Sequence, residues 1–377
     1  MLKIGILCYP SVGGSGIIAT ELGKMLAKQG HEIHFITSSV PFRLDSFYPN
    51  IYFHEVELNH YPVFQYPPYD LALATKVAEV IDTENLDIIH AHYAMPHAIC
   101  AILAKQMAEH PVKIVTTLHG TDITVLGIDL SLKKMIRFGI EQSDAVTAVS
   151  HSLVKQTKEM LETNQNIHVV YNFVNEIEYQ QENVDLKQKY GISTDEKVLI
   201  HISNFRKVKR LEDIIHTFSI INQQKATRLL LIGDGPEYGR IHQMVKDLKL
   251  DKVVHFLGKQ KNIPELLSIA DIKLLLSEKE SFGLVLLEAM AAGVPCIGSN
   301  VGGIPEVIDH GVTGYIEELG DIKAFAARAL ELLNDPIQWE HFSTNSKNRV
   351  IEQFSSDRIR SEYETIYQTV LGESYDQ

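Results

Sequence analysis

The sequence predicts an α/β protein made of two doubly wound domains, each a largely parallel sheet covered by helices on both faces. Three observations carry that expectation. Short β-branched runs alternate with longer helical patterns along the whole chain. Several of those runs are apolar on both faces, as buried parallel strands are. The chain also has 377 residues, more than a single hydrophobic core usually supports.

In the first half the expected strands are Lys3–Cys8, Glu32–Thr37, Ile51–Glu57, Asp87–His92, Lys113–Leu118, Ala145–Val149 and His168–Tyr171. In the second half they are Val198–Ile202, Arg228–Ile232, Val253–Leu257, Ile272–Leu276, Cys296–Ser299 and Gly314–Ile316. The polar stretch Asn172–Lys197 lacks an apolar period and reads as a connection with a surface helix. The expected domains are therefore 1–171 and 172–355, facing each other across a cleft. A last helix within 356–377 has Ile359, Tyr363, Ile366 and Tyr367 to bury and can pack back on the N-domain.

A net charge of −13 disfavours nucleic acid as a partner, so an anionic ligand must be held by a few local cations. No apolar run is long enough for a membrane span. The opening MLKIGILCYP reads as a strand rather than a signal peptide, which makes a cytoplasmic location the expectation. Cys8, Cys100 and Cys296 lie far apart without CxxC spacing and are expected to be buried thiols.

Three loops at strand ends carry candidate chemistry. Ser11-Val12-Gly13-Gly14-Ser15-Gly16 joins the first strand to a helix. Glycines there let backbone amides approach an anion; a bare tight turn is the other reading. The spacing is not GxGxxG and no acid ends the second strand, which disfavours NAD. In the second half, Ser203-Asn204-Phe205-Arg206-Lys207-Val208-Lys209-Arg210 holds four cations after a strand. That suits a diphosphate, with a solvated basic loop as the alternative.

The most informative stretch is Ser277–Met290, where a strand leads into a helix expected to start near Phe282. Glu280 would precede that helix and Glu288 would lie nearly two turns inside, on the order of 12 Å away. Two carboxylates so spaced suit different hydroxyls of one extended ligand rather than a paired acid and base. The amides of Phe282, Gly283 and Leu284 would face an anion. Glu280 as a simple helix-start acid, and Glu288 as a solvated charge, remain alternatives, although Glu288 has only apolar neighbours in sequence. Gly233–Glu237 and Gly302–Glu306 read as turns first and walls of a site second.

Taken together, these segments resemble the family 4 retaining glycosyltransferases of the GT-B fold, two Rossmann-like domains, over essentially the whole chain. Glu280 and Glu288 match the family's E-x7-E motif, the Arg206/Lys209 region its diphosphate pair, and Gly13–Gly16 its N-domain glycine loop, with Gly14 and Ser15 at the donor. Thr117-Leu118-His119-Gly120-Thr121-Asp122 matches its histidine segment. The resemblance implies that Glu288 holds the ribose of UDP, and that Glu280 with the amides of Phe282–Leu284 holds the transferred sugar. It implies that Arg206 and Lys209 neutralise the leaving diphosphate, with His119 near the sugar's 6-hydroxyl. One departure is that Arg and Lys are usually five apart, whereas here they are three apart and Asn204 occupies the expected arginine position. Front-face attack with retention, without metal or cofactor, follows from the same resemblance.

Cys8–Gly16, His90–Ala94 and Ser203–Arg210 are similar to a narrower branch of that family. Its members move N-acetylglucosamine from UDP-N-acetylglucosamine to L-malate in bacillithiol biosynthesis. The implied acceptor is a small dianion, with Ser15, Arg43, Tyr93, Thr117, Thr121 and Arg137 as candidates; Arg137 also reads as a helix-surface charge. A transferase acting on a glycan is the alternative within the fold. A UDP-sugar epimerase or a non-catalytic UDP-sugar sensor is the alternative from other classes. His90, His92 and His97 lack a nearby carboxylate or cysteine to complete a metal set, and His31-Glu32-Ile33-His34 lacks zincin spacing and reads as a strand start.

Overall fold

The computed structural model describes residues 1–11, 13–58, 66–180 and 186–372; Val12 of the glycine loop lies outside them, as do parts of the connecting stretch and the C-terminal tail. All thirteen expected strands are present among these residues, with ends displaced by no more than two positions.

The chain divides into two compact units. Unit one comprises Met1–Asn172 and the chain from Asp357 onward. Its strands are β1 (Lys3–Leu7), β2 (Glu32–Thr37), β3 (Ile51–Glu55), β4 (Ile88–His92), β5 (Lys113–Leu118), β6 (Ala145–Ala148) and β7 (Ile167–Val169). They form one parallel sheet in the order β3-β2-β1-β4-β5-β6-β7. The helices Tyr69–Glu84 and Ile99–Met107 cover one face, where Leu73, Val77 and Ile81 pack with Ile36, Ile89 and Ile114.

Unit two comprises Phe173–Ser356. Its strands are β8 (Lys197–Ile202), β9 (Thr227–Ile232), β10 (Val254–Gly258), β11 (Ile272–Leu275), β12 (Cys296–Ser299) and β13 (Gly314–Glu317). The sheet is parallel, in the order β10-β9-β8-β11-β12-β13. Its core joins Leu199, Leu229, Leu231 and Leu274 to Ile214, Phe218 and Phe325 from the covering helices.

The stretch read as a connection with a surface helix also contributes to the core. Its described part forms a turn of 3-10 helix, Glu176–Tyr179, which buries Tyr179, and a short helix Leu186–Lys189, which buries Leu186. The last helix, Ser356–Leu371, sets Ile359, Tyr363 and Tyr367 into unit one. There the Tyr367 hydroxyl meets His90 Nδ1 at 2.8 Å and the Tyr363 hydroxyl meets Thr117 Oγ1 at 3.2 Å. The helix is amphipathic because its buried residues recur at helical spacing. The three cysteines are free thiols, all buried.

Candidate functional site

In a doubly wound sheet the chain reverses direction once, and the two strands flanking that reversal send their outgoing loops to opposite faces. The crevice so opened lies at the carboxyl ends of the strands. In unit one the reversal falls between β1 and β4, and in unit two between β8 and β11. The glycine loop leaves β1 and Tyr93 follows β4; the basic loop leaves β8 and the Ser277–Gly283 loop leaves β11. The glycine loop, the basic loop and the loop of Glu280 thus each sit beside a reversal of their own sheet, whereas the His119 segment follows β5, one strand further out.

In unit two the structure brings Lys209 and Glu280 together, Nζ to Oε2 at 2.7 Å, with both side chains largely covered. Ser277 Oγ donates to the same carboxylate oxygen at 3.4 Å. The two loops are held close by backbone against backbone. Gly302, at φ 58, lies where a Cβ would come within 1.9 Å of the Glu280 carbonyl oxygen. Gly233, at φ 126, would bring one within 1.8 Å of the Ser203 carbonyl oxygen. Only glycine fits either place, so the two turns serve as backing for the loops.

The helix begins at Leu284, two residues later than the sequence suggested, because Gly283 turns the chain into it at φ 97. The amides of Gly283 and Leu284 stay at the helix start, whereas Phe282 precedes it and buries its ring edge-on to Phe354. Glu288 is consequently about one turn inside the helix rather than two. It is buried, and the Tyr179 hydroxyl donates to its Oε1 at 3.1 Å. Arg206 is exposed at the start of the turn Lys207–Lys209, and Asn204 is exposed as well.

Sequence reasoning missed Lys273. Its side chain is fully buried on β11, and its Nζ has no hydrogen-bond partner among the described residues. Burial pushes its pKa down to about 7, against the pull of Cys296, Glu288 and Glu280. The signal was a lone cation inside Ile272-Lys273-Leu274-Leu275, where a charge is costly unless the fold uses it. Beside it, His201 donates from Nδ1 to the Leu274 carbonyl at 3.0 Å and meets Ser203 Oγ at 2.8 Å; burial holds its pKa near 3, so it is neutral.

In unit one, Tyr93 has a positive φ of 94, an unusual backbone for a bulky residue. That conformation directs its hydroxyl to Ser15 Oγ at 2.9 Å and to Thr121 Oγ1 at 3.4 Å. Three expected acceptor residues therefore meet at one point, next to the start of the helix Gly14–Lys28, which has no side-chain cap and no acid in its first turn. Asp122, also missed, fastens this arrangement. Its buried carboxylate accepts from the amides of Ala94 at 3.1 Å and Gly120 at 2.9 Å, tying the loops after β4 and β5. Burial raises its pKa to about 6 despite those bonds.

His119 stacks on His92, ring centroids 5.1 Å apart, with Nε2 at 2.9 Å from His92 Nδ1. Burial and the nearby His97 hold its pKa near 3, so its ring is neutral at pH 7 and acts by hydrogen bonding rather than charge. His97 donates to the His92 carbonyl at 2.5 Å. The remaining acceptor candidates are not gathered with these. Thr117 is wholly buried, its hydroxyl engaged by His90 and Thr147 at 2.7 Å each and by Tyr363. Arg43 lies 3.7 Å from Glu21, and Arg137 Nε donates to Glu141 at 2.7 Å on an exposed helix face.

Comparison with known proteins agrees with this layout. The family of glycosyl transferases group 1 matches residues 182–349, and glycosyltransferase family 4 matches residues 12–177. The chain belongs to the family 4 glycosyltransferases and is a hexosyltransferase by class. It is 62% identical over 371 residues to the N-acetyl-alpha-D-glucosaminyl L-malate synthase of Bacillus anthracis, covering 98% of this chain and 97% of that one. An uncharacterised glycosyltransferase of Methanocaldococcus jannaschii is 28% identical over 96% of each chain. Among solved structures, a glycosyltransferase of Rickettsia africae matches with a TM-score of 0.84 at 22% identity, covering 99% of both chains. An Anabaena protein in complex with UDP and glucose matches with a TM-score of 0.79 at 20% identity, covering 98% of this chain and all of the other. The fold is that of the GT-B glycosyltransferases.

Lys273 gives a test with a defined sign. Its folded pKa, about 7, lies below that of the unfolded chain, 10.5, so the unfolded state holds the extra proton between those values. The cost of keeping Lys273 buried is fully present below pH 7 and is relieved as pH rises toward 10.5. Lys273→Met is expected to raise the melting temperature near pH 6 to 7, with the advantage over wild type shrinking by pH 10. Parallel thermal melts across that range check it; a pH-independent difference would remove the titrating buried amine.

Proposed function

We propose that the protein transfers N-acetylglucosamine from UDP-N-acetylglucosamine to L-malate with retention of configuration and without a metal ion. The observation that carries the substrate pair is the 62% identity, over nearly the full length of both chains, to a protein named for that synthesis. The chemistry of the gathered residues supports the same reading. In the proposal unit two binds the donor and unit one the acceptor. A cytoplasmic setting belongs to it too, consistent with three free cysteines.

Donor binding uses two carboxylates and a positive edge. Glu288, already accepting from Tyr179, takes the ribose hydroxyls of UDP. Glu280 and the amides of Gly283 and Leu284 hold the transferred sugar and the charge beside it. Lys209 and the exposed Arg206 face the diphosphate, and Gly14 and Ser15 add the capless helix start of unit one. His119, neutral, bonds a sugar hydroxyl. As the bond from the sugar C1 to the β-phosphate oxygen breaks, negative charge builds on the phosphate, where fixed cations stabilise it without reorganising. The malate hydroxyl oxygen bonds to C1 on the face being vacated, and its proton passes to the departing phosphate oxygen. Lysine and arginine thus supply the charge that Mg²⁺ supplies in other phosphate-transfer sites.

The acceptor is a dianion with one hydroxyl. Tyr93, Ser15 and Thr121 offer clustered hydroxyls, and Arg137 and Arg43 the opposite charge. Arg137 is paired with Glu141, but an exposed i, i+4 pair is worth only about 0.3–0.5 kcal/mol. A charge-assisted bidentate bond to a carboxylate is worth roughly 1.5–3 kcal/mol. Release of Arg137 from Glu141 therefore costs little. Thr117 acts from behind, by fixing His90 and the last helix.

The deciding experiment is release of UDP from UDP-N-acetylglucosamine with and without L-malate, in the presence of a chelator. Malate-dependent, chelator-resistant release is expected. Turnover with a glycan acceptor instead would replace the acceptor, and release abolished by the chelator would overturn the cation-only mechanism. Arg137→Lys should raise the KM for malate about tenfold and leave UDP affinity unchanged, since an ammonium cannot make the paired contact. Glu288→Gln should weaken UDP binding roughly tenfold by calorimetry, the difference between a charged and a neutral acceptor. Intact affinity with a lowered melting temperature would reduce Glu288 to a packing role.

A further inference from the structure

We infer that unit one carries a second, non-catalytic site for a divalent transition-metal ion of the zinc class, formed by His34, His54 and Glu84. His34 is on β2 and His54 on β3, two strands that pair in parallel with Ile36 opposite His54, so both imidazoles rise from one face of the sheet edge. Glu84 is the last residue of the helix Tyr69–Glu84, which Asn85 ends in the left-handed conformation. One ligand atom from each of the three lies within 4.8 Å of the other two; among the described residues no other set of His, Cys, Asp and Glu meets that standard. The histidines His90, His92 and His97 do not.

The chemistry of the group favours a cation. His34 Nδ1 and His54 Nε2 are 3.0 Å apart, so one nitrogen donates its hydrogen to the other. Two nitrogens on a tetrahedral zinc ion at ordinary bond lengths are about 3.3 Å apart. An ion can therefore take the place of that shared hydrogen with little movement of either ring. The His34 ring is held flat against Tyr52, centroids 4.9 Å apart, and is itself fully buried. Its other nitrogen, Nε2, has no partner among the described residues. Glu84 completes the set from a position that otherwise works against it, because a carboxylate at a helix C-terminus faces the negative end of the dipole. A divalent ion there offsets that unfavourable field. Glu84 and His54 are half-buried, so the group is reachable from solvent.

Two imidazoles and one carboxylate are a borderline ligand set suited to Zn²⁺ and its neighbours rather than to Mg²⁺ or Ca²⁺. The site sits where β2 meets the edge strand β3, with Glu84 on the chain's way into the amino end of β4. The ligand loops of this unit leave the carboxyl ends of β1 and β4. Its role is accordingly to fasten the edge strand and the helix end, separate from sugar transfer.

The test uses the full chain, stripped by chelator and titrated with Co²⁺ alone. The expected result is the visible absorption of tetrahedral cobalt, saturating at one ion per chain and displaced by Zn²⁺. The band should be absent from both His54→Gln and Glu84→Gln, while UDP binding in both variants matches wild type. A rise in the wild-type melting temperature on adding Zn²⁺, without any variant, is the second expected sign. No band in wild type, or a band that persists in either variant, overturns the site. Because UDP binding and turnover are read separately, failure here leaves the transferase reading untouched.

Discussion

A parallel sheet wound in two directions from its middle must leave one gap between outgoing loops, and in each unit the candidate ligand residues are organised around that gap. The β1/β4 gap receives the glycine loop and Tyr93; the β8/β11 gap receives the basic loop and the loop of Glu280. Nothing in either loop need bring the residues together, because the strands they leave are already hydrogen-bonded neighbours. The Lys209–Glu280 ion pair at 2.7 Å spans the second gap, linking side chains 71 positions apart. Once strand order is set by burial of the two-faced apolar runs, this meeting of charges follows.

The polar residues around those gaps are then fixed by backbone rather than by chance packing. Gly233 and Gly302 admit the carbonyls of Ser203 and Glu280 at distances that no side chain tolerates. Asp122 does the equivalent in unit one with a carboxylate, tying Ala94 to Gly120. Three buried histidines of unit one, His119, His90 and His97, are kept neutral by burial, all held far below the usual range. A neutral, stacked imidazole set can orient hydroxyls without adding charge.

How much of this was legible follows from which forces act locally. Strand positions were readable because apolar runs of four to six residues bounded by turns report burial directly. The motifs at strand ends were readable because glycine, lysine and glutamate at those places have few structural uses. The helix start at Leu284 was not, since it depends on Gly283 taking a positive φ, which a sequence permits without requiring. Tyr179 was hidden in a polar stretch, and its partner Glu288 lies 109 positions further on. Thr117 looked like a ligand residue because it stands next to His119 in sequence. His119 lies just beyond the end of β5, however, whereas Thr117 is still inside the strand, where its hydroxyl points into the buried set of His90, Thr147 and Tyr363. His34 read as a strand start and nothing more, because its partners come from 20 and 50 positions away on other elements.

The electrostatics of unit two carry a further consequence for a protein of net charge −13. A donor diphosphate entering an acidic protein is repelled at long range and must be captured at short range. Lys209 is held against Glu280 with its side chain largely covered, so in the proposed donor role little side-chain entropy would remain to be lost when the phosphate arrives. Lys273 on β11 is buried without a hydrogen-bond partner among the described residues, and burial pushes its pKa down to about 7. In the proposed donor complex, an anion brought near it would raise that pKa and favour the protonated form. The buried amine would then return part of its cost in stability as affinity for negative charge. A surface lysine, ionised throughout the physiological range, has no such reserve. Keeping an unpartnered cation in the middle of a core strand is therefore consistent with selection for binding rather than for folding.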